Sequence, residues 1–262
     1  MATGRRLAAA ALTAAGAVLA LSACDYVGER VSYAEDATIR KAIKQVRIEG
    51  DGSGDVTITT GTGTETSIHT VVRYRGDRPD ADTHRVDGDS LILDTDCGRH
   101  CSVQYRITMP AGVTVTGRLG SGDIDLTGVT RADVGSGSGD ITIDDVDGSV
   151  TADTGSGEVE VREVTGAVTA ETGSGDIHAS GIAGDVDAET GSGQLDVRLA
   201  APASVRAETG SGDVTIIVPD GAYRVTASSD SGDRRVTVPD QPGAPNTIDA
   251  HTGSGEITVR PA

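Results

Sequence analysis

The residues that could do chemistry stand in a row. A short block, Gly-Ser-Gly followed by an acid or an amide, keeps returning along the chain. It presents Asp123, Asp140, Glu158, Asp176, Gln194 and Asp213, then Asp233 in a looser copy, then Glu256. Carboxylates displayed by Gly-rich turns at a fixed period are the ligand chemistry of calcium, a hard cation that takes six to eight oxygens. Asp123, Asp140, Glu158, Asp176 and Asp213 are therefore the calcium candidates. Two features weigh against a cation. Only one half of each repeat carries the acid turn; the other half, for example Val164-Thr165-Gly166-Ala167, offers no ligand. Two carboxylates about 5 Å apart in water repel by about 1 kcal/mol or less, and salt screens even that. The column reads as a solvated turn, and no cofactor is expected.

The serines of the same block, Ser121 to Ser254, would need a base within hydrogen-bond reach to act as nucleophiles. No His or Lys recurs with them. His178 and His251 stand alone, and the serines are read as turn residues bonding to backbone. Parallel coils that cleave polysaccharides stack aromatic rings on sugar faces. This chain has no Trp or Phe and only five Tyr, scattered from Tyr26 to Tyr223. Without a convergent polar constellation, no enzyme activity is expected. Cys97-Gly98-Arg99-His100-Cys101 is the remaining reactive segment. In an exported protein its two thiols are expected to close a disulfide across the turn; the alternative, zinc held by both thiols and His100, lacks a fourth ligand.

The elements that position these residues follow from the repeat. The steps between the first glycines from Gly120 to Gly210 are 17, 18, 18, 18 and 19 residues. A period near twenty marks stacked supersecondary units. Each unit holds two short strands. One repeats as Ile141/Ile143, Val159/Val161, Ile177/Ala179, Leu195/Val197, Val214/Ile216 and Ile257/Val259. The other repeats as Val150/Ala152, Val168/Ala170, Val186/Ala188, Val205/Ala207, Val225/Ala227 and Ile248/Ala250. Members of each pair are two apart, so they share a face. Val146, Val164 and Ile182 fill the bend. The pattern predicts an all-β fold, a parallel β-helix or β-solenoid with about 18 residues per coil over 120–262. Residues 39–119 are strand-rich but irregular, with Gly52-Ser53-Gly54-Asp55 as an outlying copy, and are expected to begin the stack and cover its first face. The last coils carry Pro219, Pro239, Pro242 and Pro245 and are expected to bulge. Pro261 is expected to end the stack where no further strand pairs.

The N-terminus reads as a targeting segment. Arg5-Arg6 precedes an apolar, Ala-rich run from Leu7 to Leu21 that ends in Leu21-Ser22-Ala23-Cys24, which resembles the bacterial lipobox. Residues 1–23 are thus a lipoprotein signal peptide. Cys24 is the lipidation site, and residues 24–38 are the lipidated cysteine and a polar tether. The twin arginine leaves the export route open between the general and the twin-arginine pathway. Asp25 fits retention at the cytoplasmic membrane, so the chain is expected on its extracytoplasmic face. The net charge is −18. Removing the signal leaves 20 basic against 40 acidic residues. Such a surface repels nucleic acid.

Taken together, the lipobox, Cys101-Ser102-Val103-Gln104-Tyr105-Arg106-Ile107-Thr108-Met109-Pro110-Ala111-Gly112-Val113, the Gly-Ser-Gly-Asp coils, and Val218-Pro219-Asp220-Gly221-Ala222-Tyr223-Arg224-Val225 resemble the actinobacterial β-strand-repeat proteins grouped as putative adhesins, in lipoprotein form. The resemblance covers roughly residues 40–260. It implies a binding or scaffolding surface at the cell envelope. The expected partners are the membrane, through the lipid on Cys24, and an envelope protein or wall polymer. An accessory subunit of envelope-stress sensing and a calcium-stiffened spacer are the alternative roles.

Overall fold

The computed structural model describes residues 30–80 and 82–262. The expected signal peptide and the expected lipidation site Cys24 lie outside the described residues. The chain runs through β1 (Val31–Ile39), β2 (Gln45–Glu49), β3 (Val56–Gly61), β4 (Thr66–Tyr74), β5 (His84–Asp87), β6 (Ser90–Asp94), β7 (Cys101–Pro110), β8 (Thr114–Leu119) and β9 (Ile124–Thr127). The regular part follows as β10 (Arg131–Ser136), β11 (Ile141–Val146), β12 (Val150–Ser156), β13 (Val159–Val164), β14 (Val168–Ser174), β15 (Ile177–Ile182), β16 (Val186–Thr190), β17 (Leu195–Leu199), β18 (Val205–Thr209) and β19 (Val214–Val218). The chain closes with β20 (Tyr223–Ser231), β21 (Arg234–Val236), β22 (Asn246–Ser254) and β23 (Ile257–Pro261). The fold is an all-β solenoid.

From β8 to β19 the chain alternates between two sheets. One sheet has 12 strands in the order β1-β4-β7-β3-β9-β11-β13-β15-β17-β19-β23-β21. The other has 11, in the order β20-β22-β18-β16-β14-β12-β10-β8-β2-β6-β5. Within the stack, equivalent residues of successive repeats pair in parallel. Val150 pairs with Val168, Val168 with Val186 and Val186 with Val205. On the other sheet Ile141 pairs with Val159 and Val159 with Ile177. No coil could bury its apolar face alone; stacking fuses the inward Val, Ile, Leu and Ala side chains into one thin core. Val146, Val164 and Ile182 are buried in the bends.

Coil order departs from chain order at both ends. The coil of β2 and β3 is not the first rung. It lies between the coil of β8 and β9 and that of β6 and β7. The outermost N-terminal coil is covered by antiparallel strands: β4 on β7, β1 on β4, and β5 on β6. At the other end β22 and β23 slide between the coil of β18 and β19 and the coil of β20 and β21. The expectation for Pro261 fails for that reason. It pairs with Val218 inside the sheet, and the exposed rung belongs to β20 and β21.

The tether expectation also needs correcting. Residues 31–38 are not loose; they lie in β1, paired along its whole length with β4. Only Tyr33, Ala37 and Ile39 of this strand pack against the core, as half-buried side chains. A strand wetted on most of its surface shows little of the alternation by which strands are recognised.

Candidate functional site

Three ladders run the length of the stack, and each gives one recurring residue type a definite job. The first belongs to the acidic turn column. Asp123 Oδ1 accepts the backbone N–H of Asp140 at 3.0 Å, and Asp140 Oδ1 accepts that of Glu158 at 2.8 Å. Asp176 Oδ1 accepts from Gln194 at 2.7 Å, and Asp213 Oδ1 from Glu256 at 2.8 Å. The outlying copy joins in, with Asp55 Oδ1 accepting from Asp123 at 3.3 Å. Each aspartate thus ties its turn to the next coil. Glu158 and Gln194 make no such bond to the following coil: one more methylene carries the oxygen past the N–H. One oxygen of each calcium-candidate aspartate is thus already engaged with backbone. Among the described residues no group of three or more His, Cys, Asp or Glu is placed to hold a metal ion.

The second ladder was missed in the sequence. Thr154, Thr172, Thr190, Thr209 and Thr252 are buried, and each donates its hydroxyl to a glycine carbonyl of the neighbouring turn. The acceptors are Gly139 at 2.9 Å, Gly157 at 3.1 Å, Gly175 at 3.0 Å, Gly193 at 3.1 Å and Gly212 at 2.9 Å. Ser136 does the same toward Gly122 at 2.9 Å. The signal was present, because a Thr stands immediately before five of the Gly-Ser-Gly blocks. The turn serines do not carry the backbone bonds expected of their side chains. Their main-chain carbonyls do: Ser138 O accepts from Gly122 N and Ser156 O from Gly139 N. Their hydroxyls stand at the surface, with no base in register.

The third feature is the close approach of the glycines. Gly175 has φ +148°, and a Cβ there would lie 2.0 Å from the carbonyl oxygen of Gly157. The turn ladder is therefore backbone on backbone, and only glycine fits.

The two outer faces differ in charge pattern. The face of the β10–β22 sheet carries Thr151, Thr169, Asp187, Arg206 and Asp249 in one column, and Asp153, Glu171, Glu189, Glu208 and His251 in the next. Arg206 gathers Asp187 at 3.1 Å and Glu208 at 2.6 Å, and these carboxylates hold its guanidinium pKa up. Arg118 reaches across Gly135 to Asp153, a span open only because Gly135 has no side chain. On the opposite sheet His178 sits between Asp196 at 3.2 Å and Glu158 at 3.6 Å. Asp125 sits beside Asp123 and Asp55, and its pKa is raised, first by burial and then by Asp123.

At the N-terminal cap, Cys97 and Cys101 are joined by a disulfide, their Cα atoms 5.7 Å apart. His100, inside that small loop, adopts φ +60°.

These ladders make a rigid frame. The frame can be set beside known proteins. A family model described as Toastrack DUF4097 matches residues 43–260. The chain belongs to the DUF4097 Toastrack family. The Toastrack chain is also similar to solved structures. A putative adhesin from Bacteroides fragilis NCTC 9343 superposes with a TM-score of 0.52 at 14% identity, over 88% of this chain and 97% of that one. A putative adhesin from Parabacteroides distasonis ATCC 8503 gives a TM-score of 0.40 at 13% identity, over 90% of this chain and 98% of that one. No curated protein matches the chain. The first likeness establishes a shared fold. The Toastrack match begins at residue 43, so β1 lies outside it.

Proposed function

We propose that this Toastrack chain is a lipid-anchored, extracytoplasmic binding or scaffolding surface of the cell envelope, with no catalytic role and no cofactor. The observation that supports it is the pair of polar columns on the β10–β22 sheet. Thr169, Asp187 and Arg206 stand on successive rungs, and so do Glu171, Glu189 and Glu208. Paired strands hold such side chains at about 4.8 Å intervals. A surface with a fixed short period is suited to a partner with a repeat of its own, such as a wall polymer, or to one protein docking along the stack. The adhesin name of the B. fragilis protein accords with this reading. The net charge of −18 repels a polyanion, which favours a partner other than nucleic acid. The anchor is the lipid expected on Cys24.

Two experiments test it. Metabolic labelling with a fatty acid should mark the wild type and leave Cys24→Ala unlabelled; a labelled variant would remove the anchor from the proposal. In-cell photo-crosslinking from Thr169, Asp187 and His178 should capture wall polymer or an envelope protein. A single stoichiometric membrane-protein adduct would assign the chain to a sensing complex. No adduct at any of the three would sink the binding surface.

A further inference from the structure

A cationic row stands at the N-terminal cap of this acidic chain. Val31 pairs with Tyr74, and Tyr74 pairs with Cys101. One step further, Arg30 therefore stands opposite Arg75, and Arg75 opposite His100, whose carbonyl accepts the Arg75 N–H at 3.2 Å. Arg73, two residues back on the same face of β4, stands opposite Ser102. All four cationic or titratable side chains line one cavity of about 490 Å³, with Ser53, Ser102 and the backbone of Gly98 on its walls. Like charges directly opposite on paired strands repel. Yet among the described residues none of Arg30, Arg73 and Arg75 has a carboxylate within salt-bridge distance. Four other arginines of the same end do: Arg40 has Glu65, Arg78 has Glu35, and both Arg47 and Arg85 have Glu49. Among the described residues the only side-chain bond of the row is Arg73 to Gln104 at 3.2 Å, a neutral acceptor. Asp51 and Asp96 line the cavity too, but Asp96 spends its Oδ1 on the N–H of Gly98 at 3.0 Å.

We infer that this cavity is a binding site for a phosphate ester. Guanidinium forks bind phosphoryl oxygens two at a time, and the Ser102 hydroxyl on the cavity wall adds a neutral donor beside them. A phosphate also offers more charge and more acceptor directions than a carboxylate, which suits three guanidiniums arriving from two adjacent strands. The disulfide turn carries His100 at φ +60°, in the left-handed region that His, Asn and Asp enter more readily than other non-glycine residues, and so sets the position of the third member of the row. The source of the phosphate is either a soluble phosphoester or the headgroup of an anionic phospholipid. Arg30 is six positions after Cys24, and six extended residues reach about 20 Å. The phosphate chemistry stands without the lipid anchor proposed above; only the headgroup source rests on it.

The test is a ³¹P NMR titration of the full chain in neutral detergent micelles. One arm adds glycerol phosphate; the other uses micelles doped with phosphatidylglycerol. A saturable shift in the first arm assigns a soluble ester, and one confined to the second assigns the headgroup. Arg73→Gln/Arg75→Gln should weaken either response by about tenfold or more, the scale of losing two charge-assisted contacts. Arg224→Gln, at the far end, should leave it unchanged. Asp51→Asn removes an opposing charge and should tighten binding. No saturable shift in either arm, or an undiminished shift in a folded double variant, overturns the site. Should the double variant not fold, Asp51→Asn decides: unchanged or weaker binding overturns the proposal.

Discussion

The interior coils and the two ends of this solenoid solve the same problem by opposite means. Inside the stack, from β10 to β19, every coil is satisfied by a near-copy of itself. Val lies on Val, Ala on Ala, Thr reaches a glycine carbonyl one rung away, and Asp reaches the next N–H. At the ends there is no copy, and the exposed edge of a sheet invites another chain. The N-terminal end meets this with antiparallel strands, β1 over β4 over β7 and β5 over β6. The C-terminal end uses side chains and a loop. Asp240 Oδ1 accepts the N–H of Val225 at 3.0 Å, Arg234 donates to the carbonyl of Ala227 at 2.8 Å, and Gln241 N donates to Tyr223 O at 2.8 Å. Repetition makes the middle stable and uniform; individuality, and with it the cationic cavity, is confined to the ends.

The sharpest way to break this contrast is to place the same substitution in both regions. Gly175→Ala puts a Cβ 2.0 Å from the Gly157 carbonyl oxygen, whereas Gly76 has φ +87° but nothing within 4 Å. The interior variant should lose about 3 kcal/mol or more, because backbone must move against backbone. Gly76→Ala should lose about 1 kcal/mol, the strain of a left-handed residue alone. Urea unfolding of the two variants measures the difference, and equal losses would mean that the turn ladder is not rigid. Next in size is the disulfide. Cys97→Ala/Cys101→Ala opens a loop of sequence separation 4 and should cost about 2 kcal/mol on chain-entropy grounds. Hydrogen exchange should place that loss in β4 and β7, leaving β12 to β17 protected.

Thr172→Val tests the interior bond itself. The isosteric change leaves the Gly157 carbonyl without its buried donor and should cost about 1 kcal/mol. Arg234→Ala/Asp240→Ala tests the C-terminal cover. The stability change should stay below about 1 kcal/mol, while light scattering should show concentration-dependent dimers as the β20 edge is bared. A double variant that stays monomeric would mean that the loop around Gln241 suffices.

What was legible in the sequence follows the same division. The coils could be read because Val168/Ala170 and Val186/Ala188 repeat in sequence what they repeat in space, and Gly52-Ser53-Gly54-Asp55 was recognisable as a further copy. The buried threonine ladder was equally periodic; it was overlooked because a Thr beside a Gly-rich turn looks like turn composition. The ends were not legible in the same way. β1 has solvent over most of its surface, so its alternation is faint. The interposition of β2/β3 and of β22/β23 leaves no local mark, because a rung pairs equally well with either neighbour. The opposition of Arg30 to Arg75 depends on an antiparallel register that no repeat encodes.

The smallest expected effect sits where the two regions meet. Asp125 on β9 faces Thr57 of β3 on one side and Thr142 of β11 on the other. Its pKa is raised in the folded state, first by burial, then by Asp123, with the Thr57 hydroxyl at 3.5 Å opposing and Asp55 adding a smaller push upward. A raised acid is harder to ionise folded than unfolded. Asp125 therefore subtracts from stability at neutral pH, where it is charged in both states, and the penalty fades as pH falls through the folded pKa and then the unfolded one. Asp125→Asn keeps the acceptor for Thr57 and removes the charge. It should stabilise the protein by a few tenths of a kcal/mol at pH 7, the ordinary scale of a surface substitution, with the gain vanishing at pH 3. Urea midpoints at the two pH values measure this. A gain that persists at pH 3 would trace the effect to packing at the junction rather than to charge, and would make the seam between the irregular and regular regions a steric one.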